Sequence, residues 1–131
     1  MRVADLMQTE LQTIPADAKV SDAATTLADA RVSALPVVDD RGRLVGVISS
    51  TDILALEEEA EGDREKVQDR TAVRDVMTPE PLTISPDAEI REGARRLLEA
   101  DVHRLIVMES GRMVGIFSTT DIIRAVAAGQ L

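Results

Sequence analysis

Gly46-Val47-Ile48-Ser49-Ser50-Thr51-Asp52 and Gly115-Ile116-Phe117-Ser118-Thr119-Thr120-Asp121 are two versions of one phrase. Each runs from a glycine through an apolar stretch into hydroxyl residues and an acid, the residue types that open a helix. The likeness extends upstream. Val73-Arg74-Asp75-Val76-Met77-Thr78-Pro79 matches Val3-Ala4-Asp5-Leu6-Met7-Gln8-Thr9, Thr83-Ile84 matches Thr13-Ile14, and Asp87-Ala88 matches Asp17-Ala18. Met77 follows Met7 by 70 residues and Asp121 follows Asp52 by 69, so one residue is lost between Asp40 and Gly115, where turns fall. Solenoid repeats have periods of roughly 20–50 residues. This longer period predicts two copies of a small α/β (α+β) unit, packed about a pseudo-two-fold axis with a cleft where equivalent loops meet.

Each copy reads as β-α-β-β-α. In the first, Val3 to Met7 is a short helical turn and Leu11 to Ile14 is extended, broken by Pro15 and Asp17. Val20, Ala24, Leu27, Ala28 and Arg31 fall at helical spacing, with Ser21 or Asp22 available as a cap. Ala34 to Val38 and Leu44 to Ile48 are apolar strands around the turn Asp39-Asp40-Arg41-Gly42. The helix from Ser49 runs through Ile53, Leu54 and Leu56 into Glu57-Glu58-Glu59. In the second copy Ile84 is extended, Ile90, Ala94, Leu97 and Leu98 mark a helix, and Leu105 to Met108 and Met113 to Phe117 are strands. A last helix covers Thr120 to Ala128. Residues 1–62 are the first repeat, 63–72 a charged linker and 73–131 the second repeat. The charge run Glu57 to Arg70 reads as a solvated helix face or linker, with Gly62-Asp63 as its break. A unit of about 60–70 residues buries too little surface to be comfortable alone, so the halves should need each other.

Hydrophobic content of 44% against 30% charged suits a globular chain. The longest apolar runs fall far short of the ~20 residues of a membrane span, and Met1 to Asp5 lacks the apolar core of a signal peptide. The cytoplasm is the expected compartment. A net charge of −9 repels phosphate backbones and anionic lipid, so neither a nucleic-acid polymer nor a membrane is an expected partner. Phe117 is the only Phe, Tyr or Trp. A planar ligand must therefore be held by aliphatic side chains and backbone rather than by aromatic stacking.

The chemistry lies in the two strand-to-helix junctions. Ser followed three residues later by an acid is close to a capping box, which favours any helix N-terminus. The same groups recur at equivalent places in both copies, with hydroxyls and carboxylates beyond what a cap requires. A carboxylate can accept both hydroxyl protons of a ribose cis-diol, and a helix N-terminus attracts phosphate. Catalysis finds little support. The chain has no cysteine and one histidine, and no metal-ligand spacing, Ser-His-Asp order or phosphate-loop glycine run appears. No metal site is expected, although acidic residues could bind magnesium alongside ligand phosphates.

The ordered recurrence of Val-x-Asp-Val-Met-Thr-Pro, Thr-Ile, Asp-Ala, Leu-Pro-Val-Val-Asp or His-Arg-Leu-Ile-Val, and Gly-x-x-Ser-x-Thr-Asp resembles tandem CBS (cystathionine β-synthase) domains, from about Val3 to Arg124. The resemblance implies a regulatory pair, a Bateman module, that binds AMP, ADP or ATP in the cleft between repeats. It places Asp52 and Asp121 on ribose hydroxyls, with Ser49, Thr51, Ser118 and Thr120 supporting ribose or phosphate. Thr13, Ile14, Thr83 and Ile84 would line the base pocket, and Leu35, Pro36, Leu105 and Ile106 would give backbone and apolar contacts. His103 and Arg104 resemble a phosphate-reading pair. Arg104 has the alternative of a salt bridge to Glu99, Asp101 or Glu109, and the lone His103 takes a contact role at most. Ser33-Ala34 stand at the matching place of the first copy, a departure that weakens its phosphate grip. Asp121→Ala is accordingly expected to abolish a ligand response and Asp52→Ala to affect it less.

The resulting expectation is a non-catalytic nucleotide sensor acting in trans on a protein target. The resemblance also implies a homodimer, a disc of four CBS repeats, whose interface the helices around Leu27 and Leu97 could supply. The alternatives are a scaffolding dimer without ligand, or a sensor of S-adenosylmethionine or NAD.

Overall fold

The chain begins with a single helical turn, α1 (Val3–Leu6), and then lays down β1 (Ile14–Pro15), α2 (Val20–Ala30), β2 (Ala34–Val38), β3 (Leu44–Ser49) and α3 (Ser50–Glu59). The computed structural model describes residues 1–60, 62 and 64–131. After α4 (Arg64–Arg70) come a 3-10 turn at Val73–Asp75, β4 (Thr78–Pro79), β5 (Thr83–Ile84), α5 (Ile90–Ala100), β6 (Arg104–Glu109), β7 (Arg112–Ser118) and α6 (Thr119–Ala127). Two compact units result, one of residues Gln12–Pro81 and one of Met1–Leu11 with Leu82–Leu131.

In the Gln12–Pro81 unit the sheet order is β1-β2-β3-β4. β1 runs parallel to β2, and β3 is antiparallel to both β2 and β4. Helix α2 turns Val20, Ala23 and Leu27 inward at helical spacing. They meet Leu35 and Val37 of β2, Ile48 of β3, Ile53 of α3, Ile14 and Val73 in one core. Fully buried valine, leucine and isoleucine side chains each contribute about 1.5–3 kcal/mol relative to exposure. Neither Ser21 nor Asp22 is the cap of α2. Lys19 stands at that position, and its backbone N–H donates to Asp22 Oδ2 at 3.3 Å. Asp22 is thus the acid of the first turn, where it also complements the helix dipole.

The second unit repeats the plan with sheet order β5-β6-β7. Its core joins Ile84, Ile90, Leu97, Leu105, Val107 and Phe117 with Val3 from the start of the chain. The missing residue lies in the hairpins. Val38 pairs with Leu44 and Met108 with Met113, so the first connection spans Asp39 to Arg43 and the second only Glu109 to Arg112.

The leaders of the two copies are exchanged. Val3 N–H donates to Ala88 C=O at 2.8 Å, and Gln8 pairs with Ile116 of β7 through bonds of 2.9 and 3.0 Å. Val73 N–H donates to Ala18 C=O at 2.8 Å, and Thr78 pairs with Val47 of β3. The leader of each sequence repeat therefore completes the sheet built from the other repeat. The compact units are not the contiguous stretches 1–62 and 73–131 that the repeat suggests. The stretch read as linker also carries structure: Arg64–Arg70 is helical, α4 packs on α2 and α3, and Gln68 bonds Glu57. The expected break falls on Gly62, whose φ is 101°, while Asp63 lies outside the described residues.

Candidate functional site

Both strand-to-helix junctions form complete capping boxes. At the first, Ser49 N–H and Ser49 Oγ donate to Asp52 Oδ2 at 2.8 and 3.0 Å, and Asp52 N–H donates back to Ser49 Oγ at 3.2 Å. At the second, Ser118 N–H and Oγ donate to Asp121 Oδ2 at 2.8 and 3.0 Å, and Asp121 N–H returns to Ser118 Oγ at 3.3 Å. The strand fixes each serine in extended backbone, and the helix begins at the next residue. Each carboxylate accepts two hydrogen bonds from its serine, and a third, from the aspartate N–H to the serine hydroxyl, closes the box within one turn at the positive end of a helix dipole.

The two boxes differ at the other carboxylate oxygen. Asp121 Oδ1 accepts from Gln8 Nε2 at 3.0 Å and from the exposed Arg124 Nη1 at 3.3 Å. Asp121 is only 4% exposed. Asp52 is half-buried, and among the described residues its Oδ1 receives no hydrogen bond. The expectation that Asp121 would be the stronger ligand group thus meets a carboxylate already satisfied from within the chain, whereas Asp52 keeps an acceptor to offer. Gln8 was not among the expected site residues. Its signal is the contrast with Thr78, the residue at the same place in the other copy.

The remaining expected residues divide by depth. Ser49 and Ser118 spend their hydroxyl protons on the caps, while Thr51 and Thr120 sit exposed on the first helical turn. Thr13 and Thr83 are exposed beside the buried Ile14 and Ile84. Ile14, Ile84, Leu35 and Leu105 pack their side chains into the hydrophobic cores. Pro36 and Ile106 are also buried but stand on the opposite sheet face from Leu35 and Leu105. Phe117 is fully buried, which removes the one aromatic side chain from ligand stacking.

Ser33 and His103 occupy the same place, as the repeat implies. Ser33 C=O accepts from Ser50 N–H, and His103 C=O accepts from Thr119 N–H, both at 2.9 Å. Ala34 is then in register with Ser49, and Arg104 with Ser118. Arg104 is thus a half-buried arginine at the strand position beside the Ser118 cap, and arginine is the residue type suited to planar, bidentate anion recognition. Ala34 supplies no such charge. Among the described residues no three metal-ligating side chains come together, and no helix is long and apolar enough to cross a membrane. Leu27 and Leu97, the residues around which an interface was expected, are buried in the cores, and Leu98 is the exposed apolar residue of α5.

A family model of the CBS domain matches residues 3–59 and 73–128. The chloroplastic CBS domain-containing protein CBSX2 of Arabidopsis thaliana is 30% identical over 138 residues, which cover 88% of this chain. The chain spans only 58% of that relative's length. A crystal structure of CBSX2 in complex with AMP superposes with a TM-score of 0.81 at 31% identity, covering 97% of each chain. The CBS domain pair of MJ0100, solved with 5′-methylthioadenosine and S-adenosyl-L-methionine, gives a TM-score of 0.82 at 25% identity over 98% of each chain.

Proposed function

The chain belongs to the CBS domain family, carrying two copies of the domain, and we propose that it is a non-catalytic sensor of an adenosine-containing compound, with AMP the leading candidate. The observation that carries this reading is the Asp52 carboxylate, locked at a helix N-terminus through Oδ2 with Oδ1 unengaged among the described residues. A ribose cis-diol offers the two hydroxyl donors such a group accepts. The AMP complex of CBSX2 supports adenine nucleotide as the ligand class. At the Asp121 junction Arg104, His103 and the N-terminus of α6 would meet phosphate, and magnesium would come only with ADP or ATP. Thr51 and Thr120 would add hydroxyl contacts. The base would rest on Thr13 or Thr83 and the main chain beside Ile14 or Ile84.

Binding would act through differential affinity for two arrangements of the protein, in a homodimer or toward a protein target in the cytoplasm. A second reading, S-adenosylmethionine or a related thioether, is favoured by Ser33-Ala34. Neither residue is a cation that could offset phosphate charge, and MJ0100 is a relative solved with such ligands.

Thermal melting with AMP, ATP, S-adenosylmethionine and NAD tests the reading. Ligand at 100 times its Kd adds about 2.7 kcal/mol to stability, a rise readily seen for a chain of this size. A rise with at least one adenosine compound is the expected result. No rise with any of them would leave the scaffolding reading in its place.

A further inference from the structure

We infer that Gln8 is a built-in competitor for the nucleoside diol at the Asp121 junction, so that the two junctions differ in affinity and fill in order. The inference deepens the adenosine reading and rests on it. Gln8 is pinned by its main chain, whose N–H and C=O both bond Ile116. Met7, the preceding residue, fills the hollow over Gly115: a Cβ there would stand 2.7 Å from Met7 Sδ. From this fixed base the side-chain amide reaches Asp121 Oδ1 at 3.0 Å. A primary amide N–H and a ribose O–H are both neutral donors, and a carboxylate oxygen takes either. Gln8 therefore makes the bond to Asp121 that a sugar hydroxyl would make in its place.

The other copy supplies the contrast. Thr78 docks on Val47 by the same kind of pairing, but its side chain forms no hydrogen bond to Asp52. A shorter side chain at the same place leaves Asp52 half-exposed where Asp121 is 4% exposed. Among the described residues no side chain donates to Asp52 Oδ1, so a diol arriving there has none of them to displace. At Asp121 it must first turn the Gln8 amide away, a side-chain rotation that leaves the paired backbone in place. Asp52 fills first, and Asp121 fills only at higher ligand concentration.

The test is calorimetric titration with AMP in an Asp52→Asn background, which leaves the Asp121 junction as the one under observation. Gln8→Thr, copying Thr78, and Gln8→Ala both keep the main-chain pairing with Ile116. Each should tighten AMP by about three- to tenfold, the range expected for removing one competing hydrogen bond of ordinary net strength. In the native chain the Gln8 side-chain amide resonances should shift on AMP addition at high concentration. Equal AMP affinity with and without Gln8, or no binding in this background while the native chain binds, overturns the inference and leaves the adenosine reading standing. Failure of both the native chain and Gln8→Thr to bind any adenosine compound overturns the adenosine reading and the inference with it.

Discussion

Phe117 lies directly on Gly93: a Cβ added to that glycine would stand 2.6 Å from Phe117 Cε2. The other copy solves the same packing problem differently. Its residues at these places are Ile48 and Ala23, both fully buried in one core. The large-small pair of one unit and the medium pair of the other fill comparable space. Gly93→Ala alone should therefore cost about 1–3 kcal/mol through overpacking, and Phe117→Ile alone should cost stability by leaving a void. The double variant should recover part of both losses. Denaturant midpoints of the four chains form the cycle, and strict additivity would show that the two residues do not share this space.

Gly46 and Gly115 mark where the exchanged leaders press on the sheets. A Cβ on Gly46 would meet Met77 Sδ at 2.5 Å and Thr78 O at 2.9 Å; one on Gly115 would meet Met7 Sδ at 2.7 Å and Gln8 O at 3.0 Å. The sulfurs can swing aside, but the carbonyls belong to paired backbone. Gly46→Ala should lower stability by about 1–3 kcal/mol, and adding Met77→Ala should restore only a fraction. Amide exchange should rise at Met77 and Thr78. Unchanged protection there, with unchanged stability, would contradict the docking.

Asp39 gives a pH prediction. Its carboxylate accepts from Arg43 N–H at 2.8 Å and Arg41 N–H at 2.9 Å and pairs with Arg43 Nε at 3.0 Å. The Arg43 backbone bond leads in holding its pKa below the ordinary 3.8, and the Arg41 amide and Arg43 guanidinium add to it. A carboxylate depressed on folding stabilises the fold above its unfolded pKa and loses that contribution as pH falls through the folded value. The stability gap between the native chain and Asp39→Asn should be constant near neutrality, narrow below pH 3.8 and close once Asp39 is protonated. Urea midpoints across that range measure it. A gap independent of pH would mean the turn does not depend on the charge.

Much of this was legible in the sequence because the copies check one another. Two apolar strands around Gly42 or Gly111, each running into Ser-x-x-Asp, place the sheets, hairpins and capped helices. The CBS resemblance is matched by the domain pair found at 3–59 and 73–128. The leader exchange was not legible. Internal repetition says that Val3 corresponds to Val73, but equivalent residues fit either copy, and only the hydrogen bonds to Ala88 and Ala18 decide. The helix at Arg64–Arg70 was hidden because its charge run reads as solvated whether or not it is folded. The inequality of Asp52 and Asp121 was invisible for a related reason. Their local phrases are alike, and the difference comes from Gln8, distant in the chain.

If a ribose hydroxyl engages the second oxygen of Asp52, as proposed, Asp52→Asn removes its acceptor. The amide oxygen of Asn can keep both Ser49 bonds, which preserves the cap, while its NH2 replaces the outward acceptor with a donor. Calorimetric titration of AMP into the native chain and into Asp52→Asn, with melting curves to confirm that both are folded, is the measurement. The tighter AMP binding of the native chain should weaken by about tenfold or more, or roughly 1.4 kcal/mol, in the variant. AMP binding to Asp52→Asn with native affinity would contradict the proposal.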